Sequence, residues 1–159
     1  MTARDADGKA LDLRLIRVIV NAVDTLYSSL GRAIESYGLS MDTFRILEFL
    51  YNKGPQTIQK ISETFSIPNG SITYVVDKLE KKGFVERLPC SGDRRKINVA
   101  LTEDGVHYFD DIFPKHVQLI SDNLSFATDE EKLELIEVLK KIGYGIKNRE
   151  SNASRHDER

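Results

Sequence analysis

The chain has 159 residues, 40% hydrophobic and 30% charged, with a formal net charge of −2, enough for one ordinary domain, or one domain with a helical extension, and a solvated surface. No apolar run approaches the roughly 18 residues needed to span a bilayer, and residues 1–10 lack the apolar stretch of a secretory signal. The one cysteine, Cys90, excludes an internal disulfide, so the expectation is a soluble, cytoplasmic protein with no membrane partner.

Residues 1–10 are polar and of mixed charge, and read as a flexible arm. From 11 to 37 runs a helical pattern, with Leu15, Ile19, Ala22, Val23, Leu26 and Leu30 three to four residues apart. Leu13, Ile16, Val18 and Val20 widen the stripe beyond one face, which points to burial on several sides, including against a second chain. Gly38 closes this helix. Ser40 caps the next, with Thr43 where a capping box places a carboxylate, and Phe44, Leu47 and Leu50 form its apolar side. Gly54-Pro55 breaks it. A short helix is expected over 58–65, then a turn over 66–70. Pro68 leads into another helix, which runs to Lys82 with Ile72, Val75, Val76 and Leu79 on its apolar face.

Gly83 stops that helix. Residues 84–88 and 96–101 alternate as strands around a turn at 89–95, which makes a hairpin. Thr102 caps a helix carrying Val106, Phe109, Ile112 and Phe113, with Pro114 as a kink. Thr128-Asp129-Glu130-Glu131 is a capping box before a last helix with Leu133, Ile136, Leu139 or Val138, Ile142 and Ile146 on one stripe. Residues 148–159 read as a flexible tail. The fold class is therefore mainly α with a small β-hairpin: a winged helix-turn-helix core with helical extensions.

Two features carry function. The helix after Pro68 turns Asn69, Ser71, Thr73, Tyr74, Asp77 and Lys78 away from its apolar face. A recognition helix contacts bases with its N-terminal residues; Ser and Thr meet several base edges, and Asn pairs bidentately with adenine. The hairpin tip carries Asp93, Arg94, Arg95 and Lys96. An arginine on such a tip suits the electronegative minor groove, and Asp93 is placed to orient Arg95. The charge distribution agrees. Residues 53–100 hold nine cations against five anions, a local +4 that leaves −6 for the rest of the chain. Each element alone has an ordinary alternative, a solvated face or a charged loop; together they point to double-stranded DNA.

Leu39-Ser40, the run from Gly83 to Arg87, Asp93-Arg94-Arg95, and Leu101-Thr102-Glu103-Asp104-Gly105 resemble the MarR family of bacterial transcriptional regulators over about 11–147. Phe84 replaces the family's usual Leu or other apolar residue. Within the family, the segments around Asp42, Gly54, Gly70 and Asp77 are most similar to the quinone- and catechol-sensing, MhqR-like branch. The resemblance implies a homodimer joined through the helices at 11–37 and 102–147, with the DNA-binding region at 38–101 and its core at 55–101. It implies repression as the usual mode and recognition helices in successive major grooves of a pseudo-palindrome. It assigns base contacts to Ser71, Thr73 and Tyr74 and groove anchoring to Arg95. Many members carry Arg where Tyr74 stands, so base preference stays open.

The resemblance also implies a small phenolic or quinone effector, in a pocket for which Tyr27, Tyr37, Phe44, His107 and Tyr108 are candidates; taken singly, each reads more readily as an ordinary core residue. Cys90 is the candidate redox sensor. Arg87, Arg94 and Arg95 lie near it in sequence, and cations raise thiol reactivity; the alternative is a small half-buried residue at a strand end. No cofactor is expected. An enzyme using Cys90 lacks a neighbouring base in sequence, and His107, His116 and His156 show no metal-ligand spacing. A winged helix used only for protein contacts is the other competing class.

Overall fold

A computed structural model describes residues 3–89 and 97–157. The order of elements is α1 (Ala3–Ser36), α2 (Met41–Lys53), β1 (Gln56–Thr57), α3 (Ile58–Phe65), α4 (Asn69–Lys81), β2 (Val85–Pro89), β3 (Ile97–Leu101), α5 (Glu103–Asn123) and α6 (Asp129–Asp157). The chain divides into two compact units, Met1–Ile120 and Ser121–Arg159. The mainly helical class with a small sheet is as expected. Among the described residues no helix is long and apolar enough to cross a membrane.

The first unit holds the core. Ile34, Leu39, Phe44, Leu47, Leu50, Ile61, Ile72, Val76, Leu79, Val85, Val99, Phe109 and Ile112 form one buried cluster. It therefore draws on every helix from α1 to α5 and on both hairpin strands. The anticipated faces of α2 and α4 are the buried ones, because spacing of three and four residues stacks side chains on one side of a helix. Ser40 caps α2, accepting from the Thr43 N–H at 3.3 Å and bonding the Thr43 hydroxyl at 2.7 Å. Thr43 thus closes the turn where a carboxylate would reach back to the cap.

The sheet has three strands in the order β1-β3-β2, all antiparallel. The hairpin was legible in the sequence; β1 was not. Two residues show no alternation, and Gln56 and Thr57 become a strand only through pairing with Val99 and Asn98. The register of β2 on β3 pairs Val85 with Leu101 and Arg87 with Val99.

Both terminal helices are longer than the apolar pattern implied. Helix α1 begins at Ala3, inside the stretch expected as an arm, and α6 continues to Asp157, through the stretch expected as a tail. Apolar periodicity does not mark a helix that lacks an apolar stripe; both stretches contain helix-forming residues and no Pro. Helix α5 passes through Pro114 without ending. In the second unit the capping box forms as written: the Thr128 N–H donates to the Glu131 carboxylate at 2.8 Å, and the Glu131 N–H to Thr128 Oγ1 at 3.3 Å.

The apolar stripes of α1 and α6 stay open. Leu15, Ile16 and Val23 on α1, and Leu133, Ile136, Leu139, Ile142 and Ile146 on α6, are all exposed by two-fifths or more of their surface. Scattered exposed apolar residues are ordinary, but a continuous helical stripe marks a surface that something covers.

Candidate nucleic-acid interface

Helices α3 and α4 meet through a tight turn with a local chemical cause. Thr57 caps α3, accepting from the Lys60 N–H at 3.1 Å. At its other end Ser66 adopts the left-handed conformation, φ 54°, and Ser62 ties the turn by donating to the Ile67 carbonyl at 2.6 Å. Pro68 then supplies the carbonyl that accepts from the N–H groups of Ser71 and Ile72, at 3.0 and 3.2 Å. No side chain caps α4, so its first turn presents the positive end of the helix dipole with no capping side chain.

With Ile72, Val76 and Leu79 buried, α4 exposes Asn69, Gly70, Ser71, Tyr74 and Lys78. Tyr74 keeps 60% of its surface exposed, and the Lys78 ammonium lies 4.3 Å from its ring centroid. That cation–π contact holds a ring and a charge together on the open face. Thr73 sits at the margin: it is half-buried and donates its hydroxyl proton to the Asn69 carbonyl at 2.9 Å. It can offer a base its lone pairs or its methyl, but a donor only by breaking that bond. Beside the face, a groove of about 490 Å³ runs between α4 and the first turn of α2, lined by Ser40, Asp42, Thr43, Ser71, Tyr74 and Lys78 among others.

The hairpin is fixed to this helix pair at two places. The first is the Leu-Thr-x-x-Gly segment. Thr102 caps α5, accepting from the Gly105 N–H at 3.0 Å, and its own hydroxyl donates to the Gly83 carbonyl at 2.5 Å. Its N–H donates to the Phe84 carbonyl at 3.1 Å. A Cβ at position 105 would lie 2.0 Å from that carbonyl oxygen, so only glycine fits there. Gly83, with φ +77°, makes the reversal from α4 into β2 that brings these groups together. The second place is Arg87 on β2, whose guanidinium meets Asp77 Oδ1 at 2.6 Å and also the Glu80 carboxylate, both on α4.

Of the other sequence candidates, Cys90, Asp93, Arg94, Arg95 and Lys96 lie outside the described residues. The five pocket candidates do not converge within one chain. Tyr37 and Tyr108 do meet: the Tyr108 hydroxyl donates to the Tyr37 carbonyl, its ring stacks on Phe84 at 4.4 Å, and burial pushes its pKa up. Phe44 is a core residue instead, packed 5.4 Å from Phe109 and 4.4 Å from His116. Tyr27 and His107 are exposed. The groove described above is lined by none of the five.

Sequence reasoning did not foresee His116, which is 5% exposed, has no hydrogen-bond partner for Nδ1, and has its pKa lowered by burial. The contact of Arg87 with Asp77 and Glu80 was not foreseen either. Asp77 and Glu80 one helical turn apart, just before a glycine reversal and an arginine, were the signal for that contact.

A short helix, a tight turn, a second helix with an open polar face and a strapped hairpin define a winged helix-turn-helix protein. Comparison with known proteins is specific. The MarR family model matches residues 39–97. The HTH-type transcriptional regulator MhqR of Bacillus subtilis (strain 168) is 37% identical over 135 residues, covering 85% of this chain and 93% of the relative. AbsC, a MarR family transcriptional regulator from Streptomyces coelicolor, shares the fold with a TM-score of 0.78 at 21% identity, over 86% of this chain and 94% of that one. A mutant MarR from E. coli, solved in complex with operator DNA, matches with a TM-score of 0.70 at 25% identity, over 81% and 93% of the two chains. The chain belongs to the MarR family of transcriptional regulators.

Proposed function

We propose that this regulator reads a pseudo-palindromic operator in double-stranded DNA as a homodimer and represses transcription from it. The observation that carries the reading is the open face of α4, where Asn69, Ser71, Tyr74 and Lys78 stand exposed on a helix whose opposite side is core. Side chains of this kind at a helix N-terminus suit base edges and phosphates. Thr73 contributes from the margin of the face. Arg95 anchors the hairpin in the minor groove, oriented by Asp93, with Arg94 and Lys96 adding phosphate contacts.

The exposed stripes of α1 and α6 support the dimer: a second copy of the chain covers them, with residues 11–37 and 102–147 as the dimerisation segments and 38–101 as the DNA-binding region. Two copies then place two reading helices about one helical turn of DNA apart, ~34 Å. The protein works in the cytoplasm, where its DNA is.

The same reading includes release of DNA by a small phenolic or quinone effector, with Tyr37 and Tyr108 as the pocket residues that meet in one chain, and Cys90 as the group an electrophile would modify. Selection of bound duplexes from a random pool, with and without candidate phenols, tests it. The expected product is a two-fold-related motif that is lost on adding an effector. A pool that stays random refutes operator reading. Full release of the selected duplex by a quinone from Cys90→Ser would remove Cys90 from the mechanism.

A further inference from the structure

Arg87 stands in the middle of β2, the strand that enters the hairpin tip, and its charge is spent on α4. One guanidinium nitrogen lies 2.6 Å from Asp77 Oδ1 and the other bonds Glu80. The arginine side chain is 24% exposed, and the two carboxylates are 49% and 40% exposed. Asp77 is the residue before Lys78 and three after Tyr74, so it shares the helix that presents the reading side chains. Left bare, these carboxylates would place two negative charges beside the path of the DNA phosphates. Like charges at an interface cost affinity and disfavour docking.

We infer that Arg87 is a positioning residue for DNA reading: its guanidinium neutralises Asp77 and Glu80 and ties the wing strand to the recognition helix, so that both meet the duplex as one piece. The inference rests on the DNA-reading function proposed above. A planar guanidinium can engage two carboxylates at once through its fork of donors, which a lysine ammonium does less well. The contact spans elements that the chain separates by a glycine reversal, and it lies midway along β2. An isolated exposed ion pair contributes little to stability. The effect expected here is on the relative placement of two DNA-contacting elements and on the charge they present, not on folding.

The test is a mutant cycle on the full chain with an operator duplex, using Arg87→Ala, the pair Asp77→Asn/Glu80→Gln, and all three together. Binding is read by fluorescence anisotropy, and amide hydrogen exchange across β2 is read without DNA. Arg87→Ala is expected to weaken binding about tenfold with the fold retained, and the cycle to be non-additive by a similar factor. Arg87→Lys falls between wild type and Arg87→Ala. Exchange in β2 speeds up in both Arg87→Ala and the carboxylate pair. Affinities that add within about twofold, unchanged binding by Arg87→Ala, or unchanged β2 exchange would overturn the inference. A wild-type chain that binds no duplex would instead overturn the DNA-reading conclusion, and the exchange measurement would still decide whether Arg87 ties β2 to α4.

Discussion

Gly105→Ala tests whether the strap between α5 and the α4–β2 reversal holds the module together. The added Cβ would sit 2.0 Å from the Phe84 carbonyl oxygen, where ordinary contact begins at 3.4 Å. That atom is backbone, held by the Thr102 N–H at 3.1 Å, and cannot swing aside as a side chain would. Relief requires moving α5 away from Phe84, which stretches this bond and the 2.5 Å bond from Thr102 to the Gly83 carbonyl. Overpacking of this kind costs about 1–3 kcal/mol, and two weakened hydrogen bonds add about 0.5–1.5 kcal/mol each. Better helix propensity of alanine returns about 1 kcal/mol.

The net is a loss of about 3 kcal/mol against a total stability of roughly 5–15 kcal/mol, or roughly 6–12 °C in melting temperature for a chain of this size. Urea and thermal unfolding followed by circular dichroism, at one protein concentration, measure it. Gly70→Ala is the control, since nothing lies within 4 Å of its added Cβ; it should leave stability unchanged or raise it. A Gly105→Ala protein as stable as wild type would show that the strap carries no weight.

Three further outcomes are expected. Leu139→Asp places a charge in the exposed stripe of α6 and should give monomers in sedimentation that bind duplex poorly; an intact dimer would contradict the assignment of that stripe. Arg95→Ala should weaken operator binding by about 1–3 kcal/mol if the arginine enters the groove, and an unchanged gel-shift titration would remove it from the site. His116 is held neutral by burial, with a folded pKa below its ordinary 6.5. The unfolded chain therefore binds more protons, so stability falls as pH drops below about 6.5, by no more than about 1.4 kcal/mol per pH unit from this group. Urea midpoints at pH 7.5 and 5.5 should converge in His116→Leu relative to wild type; an equal acid loss in both would clear His116 of the effect.

What was legible in the sequence was what local rules determine. The limits of α3, the buried side of α4 and the pairing of the hairpin follow from apolar spacing, Pro68 and Gly83. The caps at Ser40 and Thr128 follow from side-chain oxygens three residues ahead of a free N–H. What was not legible needed partners distant in sequence. Gln56 and Thr57 become a strand only beside Val99 and Asn98. Arg87 meets Asp77 and Glu80 only once the chain reverses at Gly83. Phe44 read as a pocket candidate because an aromatic in a core and one in a cavity look alike in one dimension. At the ends of the chain, helix without apolar spacing left no periodic trace.

Binding of duplex DNA by this module through the open face of α4 depends on neutralising phosphates. Titration of a labelled operator duplex over a series of salt concentrations tests it most directly. Log affinity should fall linearly with log salt, with a slope of about −0.9 for each phosphate neutralised. A flat response, or no duplex binding at low salt, would contradict it and make the winged helix a surface for protein contacts.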